Sequence, residues 1–218
     1  MTNNLFEKSE GISTSSDSEG IIDSAKTFEV NKYKGWFCEI TYTVETVEMF
    51  FNLKIASNTA TKIVFEEAID FPAEVDYNIA FVNRLYLQDI ESDAANTVKL
   101  TDDLLNSKYK QVNIDLSNKV FSYLRGFYKT DFDPLNKILN LTVLQQVYSY
   151  SLLAKTYQDL SIDQDSFEAF KGYNMYEKSY IDGIRDALSL LQIDFNNDGE
   201  ANSQEIVNPA ATFVFMSR

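Results

Sequence analysis

The sequence predicts an α+β fold: an N-terminal antiparallel β segment followed by a small helical bundle with one long C-terminal helix. Three observations carry this. The 218 residues are 44% hydrophobic and 24% charged, an ordinary globular composition with enough chain for a medium domain or a core plus a small module. Apolar residues alternate with polar ones from Trp36 to about Phe65, the period of half-buried strands. From Thr101 onward they recur instead at three- and four-residue spacing, the period of amphipathic helices.

Residues 1–30 are rich in Ser, Asp, Glu and Gly, as in Ser13-Thr14-Ser15-Ser16-Asp17-Ser18-Glu19-Gly20. Such a stretch offers little apolar surface against its ordering entropy and reads as a flexible arm, untethered or ordered against a partner subunit. Residues 31–100 form the β-rich segment. Trp36, Cys38, Ile40, Tyr42 and Val44 fall on one side of a strand, with Glu39, Thr41 and Thr43 on the other. Met49, Phe51, Leu53 and Ile55 continue the alternation, and Ile63-Val64-Phe65 follows a polar turn at Ser57-Asn58-Thr59. Between Asp70 and Ile90 the pattern is mixed and leans to strand, with Tyr77, Ile79 and Phe81 alternating.

Residues 101–193 read as helices. Thr101 suits an N-cap, with Asp102 and Asp103 in the first turn, where the helix dipole favours negative charge. Val112, Leu116, Val120 and Leu124 make one apolar stripe, flanked by Phe121 and stopped at Gly126. Asp133 and Pro134 signal a second start, giving a central helix with Leu135, Ile138, Leu139, Val143, Val147 and Leu153 that runs to about Gln158. The last helix opens at Asp165, with Glu168 as capping-box partner. It carries Tyr173, Tyr176, Tyr180, Ile184, Ala187, Leu188 and Leu191 over about 40 Å. Its tyrosines suit either packing against neighbouring copies or an ordinary core with hydroxyls at the surface.

Charge and residue absences narrow the function classes. Acidic residues outnumber basic ones 33 to 19, a net charge of −14 that disfavours phosphate-backbone binding. There is no histidine, which excludes Ser–His and Cys–His dyads and His-ligated zinc. One cysteine, Cys38, permits neither an intrachain disulfide nor a cysteine zinc site, and its place in the apolar set marks a small buried hydrophobe. No P-loop or dinucleotide fingerprint appears among only 7 glycines. The opening Met1-Thr2-Asn3-Asn4-Leu5 lacks a signal-peptide pattern, and no apolar run has membrane-span length.

Residues 194–205 fit the EF-hand loop template at every constrained position. A hard cation takes six to eight oxygens, which alternate residues of a tight loop can point inward. Asp194, Asn196 and Asp198 offer side chains at loop positions one, three and five, and Gly199 permits the sharp turn. Glu200 offers its backbone carbonyl, Asn202 contributes at position nine, and Glu205 closes bidentate. Calcium is thus the candidate cofactor, in a structural rather than sensing role: Ala201 replaces the β-branched pairing residue, no second loop is present, and Pro209 blocks a long exit helix. The competing reading is an Asn/Asp/Gly-rich turn that ends the helix. The last segment, 206–218, contains Ala211-Thr212-Phe213-Val214-Phe215-Met216 and is a β-prone tail, suited to docking on its own domain or on a neighbour.

Three features make residues 101–192 resemble the head-to-tail adaptor (connector) proteins of tailed bacteriophages, including the Mu-like group. The first helix ends in Tyr123-Leu124-Arg125-Gly126-Phe127-Tyr128, similar to that family's Tyr-Leu-x-Gly-x-Tyr ending. A short loop then enters Pro134-Leu135 and a helix rich in Leu, Ala and Tyr from Leu144 to Ala154. A polar loop leads to a helix bearing Tyr173, Tyr176, Glu177, Ile184 and Leu188. The resemblance implies a structural virion protein assembled in the host cytoplasm, a homo-oligomeric ring, usually a dodecamer, between portal protein and tail or neck proteins. It implies DNA passage without sequence-specific binding and no catalytic residue. The β-rich segment and the calcium-type loop lie outside the minimal adaptor pattern. A different class, a calcium-dependent binding or adhesion module with a β recognition sheet, predicts export. An enzyme needs a carboxylate pair that no spacing selects here.

Overall fold

A computed structural model describes residues 5–6, 8–82, 86–87, 102–125, 138–163 and 167–194. The chain divides into two compact units, Phe6–Tyr86 and a second that takes Leu5 and the chain from Leu87 onward. The architecture is α+β, with an antiparallel sheet in the first unit and three α-helices among the described residues of the second.

Seven strands form the sheet: β1 (Ser9–Ile12), β2 (Ser15–Asp17), β3 (Gly20–Ile22), β4 (Phe37–Val44), β5 (Val47–Asn58), β6 (Lys62–Phe65) and β7 (Asp76–Ala80). Their order is β1-β7-β4-β5-β6-β3-β2, and every pairing is antiparallel. The two ends of that order are consecutive in sequence. Ser13 donates its N–H to Val75 O at 3.0 Å, beside β7, and Thr14 donates to Ile22 O at 2.7 Å, on β3. One bent segment therefore supplies the strands at both ends of the sheet. The opposite corner is β5, which pairs with β4 along its first part and with β6 along its last, with a register shift between Ile55 and Ser57.

The flexible-arm reading of residues 1–30 is corrected over the described part, because β1, β2 and β3 lie within it. Composition counted apolar area and missed that hydroxyls can satisfy a short-stranded backbone. Ser13 Oγ donates to Ala73 O at 2.9 Å and accepts the Val75 N–H at 3.0 Å, and Ser16 Oγ donates to Phe71 O at 2.6 Å. Asp17 Oδ1 accepts the Glu19 and Gly20 amides, closing the β2–β3 turn. At Gly20 an added Cβ would meet Ile63 O at 1.9 Å, so only glycine lets β3 lie this close to β6.

The core follows the predicted alternation. Cys38, Ile40, Leu53, Ile55, Ile63 and Phe65 are buried, as is Tyr77; the leaning to strand between Asp70 and Ile90 holds over β7, whereas Tyr86 and Leu87 are helical. Tyr33, Trp36, Phe81 and Phe6 form an aromatic chain with ring centroids 5.2, 5.1 and 4.8 Å apart. Asn58 is buried with its amide satisfied: it accepts Tyr33 N–H and donates to the Glu29 and Thr59 carbonyls.

In the second unit the helices are α1 (Asp102–Arg125), α2 (Gln145–Asp163) and α3 (Phe167–Ser189). The α1 stripe of Val112, Leu116, Val120 and Leu124 is buried as expected. Thr101, Gly126, Asp133, Pro134 and Asp165 lie outside the described residues. The central helix starts later than expected, at Gln145 after a 3-10 turn over Leu141–Leu144, and extends to Asp163. Ile138 and Leu139 are not helical: Ile138 forms an antiparallel bridge with Ile193. Pairing with the chain that leaves α3 outcompetes their helical periodicity. The α3 helix has 23 residues, about 34 Å at ~1.5 Å per residue, somewhat shorter than expected.

Polar groups cross this second core. Tyr148 donates its hydroxyl to Asn113 Oδ1, and Ser149 and Thr156 bond the carbonyls one turn back at Gln145 and Leu152. Leu5 donates its N–H to Ser117 Oγ at 3.2 Å. Lys108–Asp159 and Lys155–Asp115 ion pairs tie α1 to α2. Tyr176 of α3 is buried against Tyr157 of α2, ring centroids 5.6 Å apart, while Tyr173 and Tyr180 are half-buried. No helix among the described residues is long and apolar enough to cross a membrane.

Candidate functional site

The first residue of the calcium-type loop, Asp194, is described and buried. Asn196, Asp198, Glu200, Asn202 and Glu205 lie outside the described residues, as does the tail over 206–218. What the structure places is the entry to the loop. The last helix does not run into Asp194, as the sequence reading had it, but stops at Ser189. Leu190 and Leu191 donate their amides to Ala187 O and Leu188 O, three-residue bonds that tighten the last turn and end the helix, and Leu191 and Ile193 are buried.

Asn140 holds this exit in place. Its Nδ2 donates to Leu190 O at 2.8 Å and its Oδ1 accepts the Gln192 N–H at 2.7 Å. Leu139 N–H adds a bond to Gln192 O at 3.0 Å. Asp194 thus follows a short bridged segment rather than a helix, and the residue itself is buried. Among the described residues, no group of three or more Cys, Asp or Glu side chains stands close enough to hold a metal.

Sequence reasoning missed a second feature. Between α1 and α3 runs an open groove of about 370 Å³. From α1 it is lined by Asn118, Lys119, Ser122 and Tyr123, and from α3 by Ile184, Arg185 and Leu188. Each described lining residue that bears charge is basic, within a chain of net charge −14. Lys119 Nζ sits 4.4 Å from the Tyr180 ring centroid, which fixes its charge at the groove wall. Burial pushes the Tyr123 hydroxyl above the usual phenol range, and the Arg185 guanidinium draws it back. An apolar floor with a cationic wall receives apolar groups flanked by negative charge. Its residues come from two helices far apart in sequence, so no local motif announces them.

The titratable groups of the sheet serve the fold. Tyr77 donates to Asp23 Oδ2 at 2.6 Å in the interior, and burial, reinforced by that carboxylate, raises its phenol far above the ordinary range. Burial likewise pushes the Cys38 thiol far up, leaving it a packed apolar group rather than a nucleophile. No protein-family model, no curated protein and no solved structure matches this chain.

Proposed function

We propose that the protein is a structural assembly subunit, a head-to-tail adaptor that forms a ring between portal and tail. The observation that supports it is the outer face of α3. Phe167, Phe170 and Ile181 recur there at helical spacing and remain 66%, 51% and 61% exposed. Large apolar side chains aligned on one face mark a contact surface. In this reading the helices form the scaffold bundle, and the exposed face of α3 meets the portal or a neck protein. An acidic ring repels the DNA backbone, so the duplex slides without sticking.

A pull-down against assembled portal tests this. Capture by the wild-type chain, lost on replacing Phe167 and Phe170 by Ser, is the expected result; no binding to any neck component overturns it. The same reading gives Asp194, Asn196, Asp198, Glu200, Asn202 and Glu205 a calcium ion that fixes the C-terminal segment. Calorimetry is expected to show binding that Asp194→Ala with Glu205→Ala removes. Melting that ignores both excess calcium and chelator ends that assignment.

A further inference from the structure

The β4–β5 hairpin outruns the sheet that supports it. Its ladder reaches Val44↔Val47, but β7 accompanies β4 only from Phe37 to Thr41, and β6 meets β5 only from Ile55 on. The face that is core at Ile40 therefore continues outward through Tyr42–Met49 to Val44 and Val47, where it becomes exposed. Phe50 is exposed on the opposite face. From Thr41 to Asn52 the charged residues are Glu45 and Glu48 alone.

The tip is also held in an unusual conformation. Glu45 and Thr46 have φ of 55° and 106°, where Asn-Gly would ordinarily stand in a two-residue turn. A β-branched residue there costs backbone strain, yet it keeps the two valines paired at the end of a projecting ribbon.

We propose that this hairpin tip docks into the α1–α3 groove of a second copy of the chain. Val44 and Val47 lie on Ile184 and Leu188 of α3, Glu45 at the turn faces Arg185, and Glu48, on the opposite face of the ribbon with Phe50, faces Lys119 of α1 across the groove. Apolar matches apolar, and the signs are opposite on the two surfaces. The contact is heterologous, hairpin of one copy to groove of the next, and repetition of such a contact builds rings or filaments. This deepens the self-assembly half of the adaptor reading and rests on it.

Charge reversal with cross-linking tests the contact on the full chain. A Val47→Cys chain mixed with an Ile184→Cys chain under mild oxidation is expected to give a mixed disulfide dimer. Val47→Cys mixed with Ile114→Cys, exposed elsewhere on α1, is expected to give none. Glu45→Lys with Glu48→Lys in the first chain lowers the yield about tenfold or more, as does Lys119→Glu with Arg185→Glu in the second. Combining both reversed chains restores it. Absence of the mixed dimer, indifference to either reversal, or failure of the combined pair to recover overturns the proposal. Mixed dimers from a chain that binds no neck component would uphold this contact and overturn the adaptor role; neck binding without mixed dimers would do the opposite.

Discussion

The two units solve the problem of buried polar groups in different ways. In the sheet unit the polar clamps mostly sit at the turns and at the segment that joins the two ends of the sheet. Ser13, Asn58 and the Asp23–Tyr77 pair secure backbone or each other, while an aromatic chain centred on Trp36 fills the middle. In the helix unit the polar groups run through the helices themselves: Asn113, Ser117, Ser149 and Thr156 lie among the leucines. The lesson concerns where each unit is vulnerable. The sheet depends on a few large apolar anchors, whereas the helices depend on close approach and on hydrogen bonds inside the core.

Trp36→Ala should produce the largest effect, about 3–5 kcal/mol of destabilisation. Hydrogen exchange on the full chain is expected to show lost protection across β4–β7, with α1–α3 much less affected. Equal loosening of the helices would break the distinction and show one cooperative unit. The reciprocal change is Gly172→Leu. A Cβ at that position would already stand 2.9 Å from Tyr157 Cδ1, so a larger side chain must separate α2 from α3 at a cost of about 1–3 kcal/mol. Its exchange signature should be confined to the helices.

Tyr77→Phe sharpens the account of the sheet. It removes the hydroxyl that donates to Asp23 and leaves a buried carboxylate one bond short, at a cost of about 1–3 kcal/mol by urea denaturation. Asp23 keeps the Ala25 amide, so the loss should not unfold the chain. An unchanged midpoint would show that the pair contributes packing alone.

The smallest effect is electrostatic and bounded by pH. Lys62 bonds Asp17 at 2.8 Å and Glu19 at 2.9 Å. This holds the Asp17 carboxyl below its ordinary 3.8, so its contribution is full above that pH and fades as pH falls through the lowered value. The same contacts hold the Lys62 ammonium above its ordinary 10.5, so its contribution is full below that pH and fades as pH rises through the raised value. Lys62→Met should therefore narrow the difference in melting temperature between neutral and acidic or alkaline solution. Identical pH profiles for both chains would dismiss the ion pairs as stabilising.

Much of this was legible in the sequence because burial leaves a period. The alternation through Cys38, Ile40, Leu53 and Ile55, and the stripe Val112-Leu116-Val120-Leu124, record which side faces a core. The adaptor resemblance and the calcium ligands were legible only as patterns, and of the six loop residues just Asp194 is placed.

Local patterning by itself therefore determined the α+β class, most of the strands from β4 onward and the buried faces of the helices, because period and side-chain polarity act within a few residues. The tertiary structure alone decided the rest. It recruited the Ser-rich segment as β1–β3 through partners such as Ala73, Phe71 and Val75, drew Ile138 out of a helix to meet Ile193, and set Lys119 beside the groove that Arg185 completes. Each of those outcomes depends on hydrogen bonds or charges between residues distant along the chain, which no local period records.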